Sequence, residues 1–540
     1  MNGNRRVQNQ QHEKKMVAWW SLARRRRGVV MRHVSTFPTP KIELTPQEEK
    51  LFEVLQFVRK KYAPKTTLRV AGGWVRDKLL GIPSDDIDIA LDTMTGEAFV
   101  KKILKFQNAC GVPVKGFYIV KKNAEQSKHL ECAAVKLLGH ELDFVHLRNE
   151  SYTDSRIPTL SDVLATPEED ALRRDITINA LFYNLTTQSV EDFTEKGILD
   201  LHRQVIRTPL PPTETFLDDP LRVLRAIRFA CQYDFTLDAA LRQAIQSEKV
   251  KTALVQKITR ERIGIEVRKM LSGTNPAMAI QLLGDANLLP IVLPTTYNAS
   301  TAAGLAGIRF VQAHARLVNA AAHDKTQFDF RQMLASVLLP MAGGTDLAAT
   351  LDAMLTHQTP LDDDAAIVEH SLAYFRQSQA RDLQAPKRRL DAIKDELKWS
   401  KAESKHVADL VEAAERFLVM VSANPARLNI VHLNLWCRHH ATQFNQVMPM
   451  LWHCAHPTTT HETQPQVAAL QSSGWASVTL SKVLMKAQDL QKAVGTNTTW
   501  KLSELLHTVA VWEWMHPEAT LDDELAFVET VLAPRVQADK

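Results

Sequence analysis

The stretch "RVAGGWVRDKLLGIPSDDIDIAL", residues 69–91, sets two adjacent glycines beside an Arg-Asp pair and three crowded aspartates. A strand-like run enters Gly72-Gly73, and "WVRDKLL" then gives a short helix before Gly81 and Pro83 stop it. Backbone amides at a helix start, with no Cβ in the way, let an anion approach, so Gly72 and Gly73 are candidates to meet a phosphate. The Gly spacing fits neither a P-loop nor a dinucleotide fingerprint, and the Walker lysine is missing. In the following strand Asp86 and Asp88 share one face, while Ile87 and Ile89 take the other. Asp85 falls on the wrong face for that pair and belongs at the mouth of the strand. Like charges so close repel unless a cation joins them, and hard oxygen ligands on a rigid strand suit Mg²⁺. A solvated turn running into an ordinary strand would give the same D-x-D, so a third acid is needed to decide.

"HELDFVHLR", residues 140–148, offers one. Glu141 and Asp143 share a face there, and Asp143 is the better candidate because it sits mid-strand between apolar neighbours, where a lone acid is costly. Three acids can hold two metals roughly 3.5–4 Å apart, one activating a hydroxyl and one steadying a leaving pyrophosphate. That is the chemistry of nucleotidyl transfer.

The rest of the chain bounds this reading. At 540 residues it is long enough for several domains. No apolar run approaches the ~20 residues of a membrane span, so no membrane partner is expected. The net charge is +5, but residues 1–40 carry nine Lys or Arg against one acid, Glu13, leaving −3 for the remainder. Any basic surface must come from local clustering. The five scattered cysteines, Cys110, Cys132, Cys231, Cys437 and Cys454, suit free thiols in a reducing compartment. "MVAWWSLARRRRGVVMRHVSTF", from Met16, is Arg-rich and acid-poor like a mitochondrial leader, although "ARRRR" also suits nuclear import or RNA contact. Starts at Met16 or Met31 would let one gene supply the cytoplasm or nucleus as well.

The pattern predicts an α+β protein: a small mixed-sheet head followed by an all-α neck, body and tail. The divisions are a basic leader at 1–40, a catalytic head at 41–167, a nucleotide-binding neck at 168–275, and a helical body and tail at 276–540. "PQEEKLFEVLQFVRKKY" reads as an amphipathic helix, and "TTLRVAGG", "DIDIAL" and "ELDFVHL" as strands. "PEEDALRRDITINALFYNL" and "DDPLRVLRAIRFACQY" both read as helices.

In order, "GGWVRDKLLG" with "DIDIAL", "RRDITINALFYN", "DDPLRVLRAIRFA" and "ERIGIEVRKML" resemble the motifs of the class II tRNA nucleotidyltransferases, the CCA-adding enzymes of the polymerase-β-like superfamily. "QSKHLECAAVKLLGHELDFVHLR" and "TPEEDALRRD" resemble the eukaryotic branch. The resemblance covers about residues 65–275. It implies Asp86, Asp88 and Asp143 as catalytic metal ligands for two Mg²⁺, with Mn²⁺ as a substitute, and adds Arg76 to Gly72 and Gly73 in the nucleotide site. It implies that Arg173 and Arg174 meet phosphates, while Asp175 and Asn179 check the ribose 2′-hydroxyl. A helix start with two solvated arginines is the competing reading of those residues.

In "LDDPLRVLRAIRF", Asp219, Arg222, Arg225 and Arg228 form one polar stripe. A carboxylate accepts from the amino group of cytosine or adenine, and a guanidinium donates to the adjacent acceptor. The family assigns this selection of C and A to Asp219 and Arg222. Arg225 and Arg228 belong on phosphate or in supporting ion pairs. The implied partners are tRNA, CTP and ATP, and the implied reaction is template-independent addition of the 3′-terminal CCA. A poly(A) polymerase, a partial CC- or A-adding enzyme and a non-catalytic tRNA-binding relative are the alternatives. The polar segment 151–169 reads as a loop that helps the switch from C to A.

The tail is expected to grip tRNA by backbone and shape, with Lys387, Arg388, Arg389 and Lys394 as its best basic segment. Cys437, His439, His440, His453, Cys454 and His456 lack convincing zinc spacing, and His323-Asp324 lacks the partners of a phosphohydrolase dyad. The tail tryptophans, Trp399, Trp436, Trp475, Trp500, Trp512 and Trp514, read as core anchors.

Overall fold

In the computed structural model, the described residues are most of 40–293, 363–423 and 485–538, with short pieces between 331 and 451. Within the first part, 111–116, 121–131, 148–149, 152–158 and 161–164 fall outside the description. The head opens with helix α1 (Pro46–Tyr62), capped by a reciprocal box in which Thr45 and Glu48 satisfy each other's backbone amides. Glu48 also accepts from the Trp74 indole at 3.1 Å and from Lys78 at 2.6 Å, which ties α1 to the glycine turn. Strand β1 (Leu68–Ala71) runs into Gly72, and helix α2 (Gly73–Leu80) starts on the next residue. Gly81 closes α2 in the left-handed conformation at φ 71°, and the Ile82 amide reaches back to the Asp77 carbonyl at 2.8 Å.

Strand β2 (Ile87–Leu91) returns antiparallel to β1, with Val70 opposite Ile89. Helix α3 (Gly96–Ala109) then packs so closely on the sheet that a Cβ on Gly96 would lie 2.1 Å from the Phe144 carbonyl oxygen. Strands β3 (Phe117–Val120), β4 (Cys132–Leu137) and β5 (His140–His146) follow. Strand β5 lies parallel to β2, in a register that sets Asp143 beside Asp88 and Phe144 beside Ile89. Two more strands, β6 (Phe182–Asn184) and β7 (Ser189–Glu191), complete a seven-stranded sheet of order β3-β4-β5-β2-β1-β6-β7. Ile87, Ile89, Leu142 and Phe144 are buried on the face away from the acids, with Phe99 of α3 against Phe144 at a ring distance of 5.4 Å.

The helix expected across 167–185 is not continuous. Helix α4 spans only Pro167–Leu172, a 3₁₀ turn holds Thr177–Asn179, and Phe182–Asn184 pair with β1. The chain leaves the helical ladder because other groups compete for it. Asp170 takes up Arg173 and Arg174, and the Thr177 amide donates to the Arg207 carbonyl at 2.8 Å. The β-branched and aromatic run that follows then suits the sheet. The head sheet therefore runs on to Glu191, beyond the boundary drawn at 167 from the sequence.

Beyond the sheet the described elements are almost all helical. Helix α5 (Leu221–Tyr233) buries Val223, Leu224, Ile227 and Ala230 and leaves its arginines on the opposite side. Helix α6 (Arg260–Leu271) crosses helix α7 (Ala385–Leu397) at Gly264, where a Cβ would sit 1.8 Å from the Leu397 carbonyl oxygen. Trp399 donates to the Gly264 carbonyl at 3.1 Å across the same crossing. Only glycine permits that approach. Helix α8 (Lys401–Ala423) packs on α7, and helices α9 (Leu502–Met515) and α10 (Leu521–Phe527) lie near the end of the chain.

Trp399, Trp436, Trp500 and Trp512 are buried, as core anchors should be; Trp475 lies outside the described residues, as does the Trp514 side chain. Among the described residues, no helix is long and apolar enough to cross a membrane.

Candidate active site

Asp86, Asp88 and Asp143 converge: each offers a carboxylate oxygen, and the three lie within 4.8 Å of one another. The parallel β2–β5 register supplies Asp88 and Asp143 side by side. Asp86 is the last residue before β2 and is exposed, so the turn "PSDD" brings the third oxygen to the strand ends. Among the described residues this is the one group of three or more His, Cys, Asp or Glu that could hold a metal ion. An all-oxygen set of carboxylates on adjoining strands fits a hard divalent cation such as Mg²⁺.

The glycine turn differs from its expected use. Gly72 adopts φ +67°, and a Cβ on it would lie 2.7 Å from Arg174 Nη1 and 3.3 Å from the Asn179 carbonyl oxygen. Its amide donates to the Leu181 carbonyl at 2.9 Å and so is already engaged within the fold. Gly72 is glycine because the backbone is left-handed and Arg174 packs on it. The first amides of α2, starting at Gly73, carry the anion-binding potential of a helix start.

Arg76 is also placed differently from expectation. It is only 6% exposed, and its guanidinium is enclosed by protein groups. Nε and Nη2 donate to the two Asp77 carboxylate oxygens at 2.8 and 2.9 Å, and Nη1 donates to Asn179 Oδ1. The ring centroids of Tyr233 and Phe229 lie 4.8 and 5.2 Å from its centre. Each of its three guanidinium nitrogens already has a partner within the protein.

The remaining polar residues form one connected network. Asp170, at 2% exposure, accepts from Arg173 and Arg174 on separate oxygens. Burial would raise its carboxyl, but the charges of Arg174 and Arg173 outweigh that and hold it below the ordinary carboxylate range. Arg174 further donates to the Asn179 carbonyl at 2.9 Å. Asp175 accepts from the Ile176 amide at 2.9 Å, Asn179 Nδ2 at 3.0 Å and Arg225 Nη2 at 2.6 Å. Burial opposes its ionisation, yet Arg225 and the Asn179 hydrogen bond bring its pKa down to about 2. Asp175 is therefore an anion at every pH where the protein works.

Asp219 and Arg222, the pair expected to read the base, are held partly from outside α5. Asp219 Oδ1 accepts the Leu221 amide at 3.1 Å, and Oδ2 accepts Arg262 Nη2 of α6 at 3.0 Å. Arg222 is largely buried and donates to the Arg173 carbonyl at 2.6 Å. Arg225 and Arg228 take the ion-pair role: Arg225 pairs with Asp175, and both face Glu266 of α6, Arg228 at 2.6 Å.

Sequence reasoning did not assign Asp170, Asp77, Tyr233, Arg262 or Glu266. Asp170 had a readable signal, since it stands three and four residues before the two arginines. Arg262 and Glu266 lay within a quoted motif, but nothing in their spacing says which helix they face. The Arg388 and Lys394 side chains are on the exposed surface of α7, whereas Arg389 is tied to Glu415 of α8 at 2.6 Å. Most of 151–164, His323, Asp324, Cys437, His439, His453, Cys454 and His456 lie outside the described residues; His440 is buried 5.4 Å from the Trp436 ring.

Residues 68–207 match the poly A polymerase head domain family. Residues 234–299 match the family described as a probable RNA and SrmB-binding site of polymerase A. The CCA tRNA nucleotidyltransferase, mitochondrial, of Saccharomyces cerevisiae is 47% identical over 265 residues, 47% of this chain and 48% of that protein. Its Candida glabrata namesake is 46% identical over 264 residues, 47% of this chain and 49% of that protein. The chain spans about half the length of these curated relatives. For the fold as a whole, a CCA-adding enzyme of Thermotoga maritima complexed with tRNA superposes with a TM-score of 0.55, at 19% identity over 91% of this chain and 96% of that one. The mixed-sheet head and helical remainder thus share their architecture with that protein.

Proposed function

We propose that this chain is a template-independent RNA nucleotidyltransferase that builds or repairs the 3′-terminal CCA of tRNA from CTP and ATP. The convergence of Asp86, Asp88 and Asp143 carries the reading. Yeast relatives named CCA tRNA nucleotidyltransferase favour CCA addition over plain polyadenylation.

The three carboxylates would hold two Mg²⁺ ions, which supply Lewis acidity toward the triphosphate and a more acidic 3′-hydroxyl. The chain's own residues account for the rest of the recognition. The start of α2, with Arg173 and Arg174 held in place by Asp170, takes the phosphates, while Asp175 and Asn179 receive the ribose. Asp219 accepts the exocyclic amino group of C or A, and Arg222 donates to the neighbouring ring acceptor, a pattern that U and G present in reverse. Attack by the tRNA 3′-hydroxyl on the α-phosphorus forms the new phosphodiester as the bond to pyrophosphate breaks, in line. A mitochondrial address is part of this proposal, supported by the Arg-rich segment after Met16 and by the names of the yeast relatives.

The test offers tRNA ending at the discriminator base, and tRNA ending in CC, with single nucleotides, and sequences the products. CC followed by one A supports the reading. A long A tail would assign the chain to polyadenylation, and bound but unextended tRNA would make it a non-catalytic binder.

A further inference from the structure

Arg76 is four residues from Gly72 in sequence, yet its guanidinium is enclosed where α2, the 3₁₀ turn and α5 meet. Its partners come from three places. Asp77 is its neighbour on α2, Asn179 lies in the 3₁₀ turn, and Phe229 and Tyr233 stand one turn apart on α5. The Tyr233 hydroxyl closes the ring by donating to Asp77 Oδ1 at 3.1 Å.

The chemistry of these partners fixes one amide. A guanidinium only donates, so the Asn179 atom facing Arg76 is Oδ1. A carboxylate only accepts, so the atom facing Asp175 is Nδ2, at 3.0 Å. Both demands agree on a single orientation of Asn179. Without Arg76, the amide loses the group that distinguishes its two ends from that side. With Arg76 on Oδ1, Nδ2 keeps one hydrogen on Asp175 and has a second to offer a ligand.

We propose that Arg76 is the positioning residue for sugar discrimination. Clamped between α2 and α5, it holds the Asn179 amide in the orientation that lets Asn179 and Asp175 receive a ribose 2′-hydroxyl. This rests on the reading of the site as a ribonucleotide site. The device also makes sugar selection depend on head and neck being seated together, because Tyr233 and Phe229 of the neck helix form the wall against which Arg76 is held. Base selection uses a separate support, Arg262 on Asp219 and the Arg173 carbonyl on Arg222.

The experiment measures kcat/KM for CTP, dCTP and UTP on tRNA, alongside calorimetric affinities for CTP and dCTP, in wild type, Arg76→Lys and Tyr233→Phe. A lysine cannot hold Asp77 on two bonds and Asn179 on a third. The CTP-to-dCTP ratio should fall about tenfold in Arg76→Lys, the scale of one misplaced hydrogen bond, and about threefold in Tyr233→Phe. The CTP-to-UTP ratio should stay unchanged in both. Equal losses for CTP and dCTP, or a parallel loss of base selection, would overturn the inference in favour of a purely structural arginine. If Arg76→Lys does not fold, an unchanged sugar ratio in folded Tyr233→Phe overturns it. A wild-type chain that binds CTP but extends no tRNA defeats the functional reading alone, and the affinity ratio still decides the role of Arg76.

Discussion

Replacing Asp143 with asparagine should stabilise the metal-free protein while abolishing nucleotidyl transfer. Asp143 stands beside Asp88 in the β2–β5 register, and its carboxylate lies within 4.8 Å of both Asp86 and Asp88. Two unit charges at that separation repel by about 1 kcal/mol at the dielectric constant of water, and by more where the strand backbone excludes solvent. Asparagine keeps the shape and removes two such pairs, so the metal-free head should gain about 2 kcal/mol at low salt. For a domain of this size that is a rise of roughly 4–8 °C in melting temperature, shrinking as salt screens the exposed Asp86.

Magnesium should reverse the order. In wild type, the ion binds the folded triad and raises the melting temperature with concentration. In Asp143→Asn the rise should be small, because one of three charged ligands is gone. The assay is thermal unfolding of both proteins in chelator and across a magnesium titration, paired with single-nucleotide extension of tRNA. Two results would refute the reasoning: a lower melting temperature for Asp143→Asn in chelator, or a magnesium-dependent rise equal to that of wild type. The first would mean that the acids are held for structure; the second, that the cation binds elsewhere.

Two further outcomes follow from particular contacts. Gly72→Ala forces a side chain into a left-handed backbone at φ +67° and a Cβ to within 2.7 Å of Arg174, so it should cost roughly 2 kcal/mol or more of stability and raise KM for both CTP and ATP; a thermally normal variant with unaltered KM would contradict the packing role of this glycine. In the tail, Glu524 of α10 is fully buried and accepts from the Met485 amide at 3.2 Å, and burial together with the Glu513 carboxylate of α9 raises its pKa from 4.5 to about 7. The folded state therefore keeps a proton that the unfolded chain has lost between those values. Its stabilising contribution is complete below about pH 4.5 and disappears as pH rises through about 7, amounting to about 3 kcal/mol at most. Glu513→Gln should flatten the fall in melting temperature between pH 5 and pH 8, and an identical slope in the two proteins would exclude this pair as its source.

The metal acids were legible because strand periodicity is strict. Once "DIDIAL" and "ELDFVHL" are strands, alternation alone sets which acids face together, and the parallel register then brings Asp88 and Asp143 side by side. The region after residue 167 was harder, since "EEDALRRDITINALFYN" contains both helix formers and β-formers. The outcome there depends on partners far along the chain. Thr177 donates its amide to Arg207, and the strand at Phe182 exists because β1 offers an edge. No local pattern records either event. Likewise Gly72 and Gly264 look alike in sequence, but one answers a left-handed turn against Arg174 and the other a helix crossing at Leu397.

The arginines show why the identity of a pocket residue was easier to read than its role. Seven of them, at positions 76, 173, 174, 222, 225, 228 and 262, lie in the motifs read from the sequence. On sequence alone Arg76 is expected in the nucleotide site, Arg173 and Arg174 on phosphates, Arg222 on the base and Arg225 and Arg228 on phosphate or in ion pairs, while Arg262 has no assigned role. Folding sorts them by what holds them. Asp170 is buried with one oxygen on Arg173 and the other on Arg174, and Arg174 reaches on to the Asn179 carbonyl. Arg76 is enclosed on every side and serves Asn179 instead. Arg225 and Arg228 are drawn toward Asp175 and Glu266, which keeps the ribose acid ionised and the α5–α6 contact closed. A buried carboxylate that cannot leave is a better guide to which guanidinium is free to move than the guanidinium's own position in a motif. Asp170 thus sets Arg173 and Arg174, the arginines proposed for the phosphates, just as Arg225 and Arg262 hold Asp175 and Asp219, the acids proposed for sugar and base.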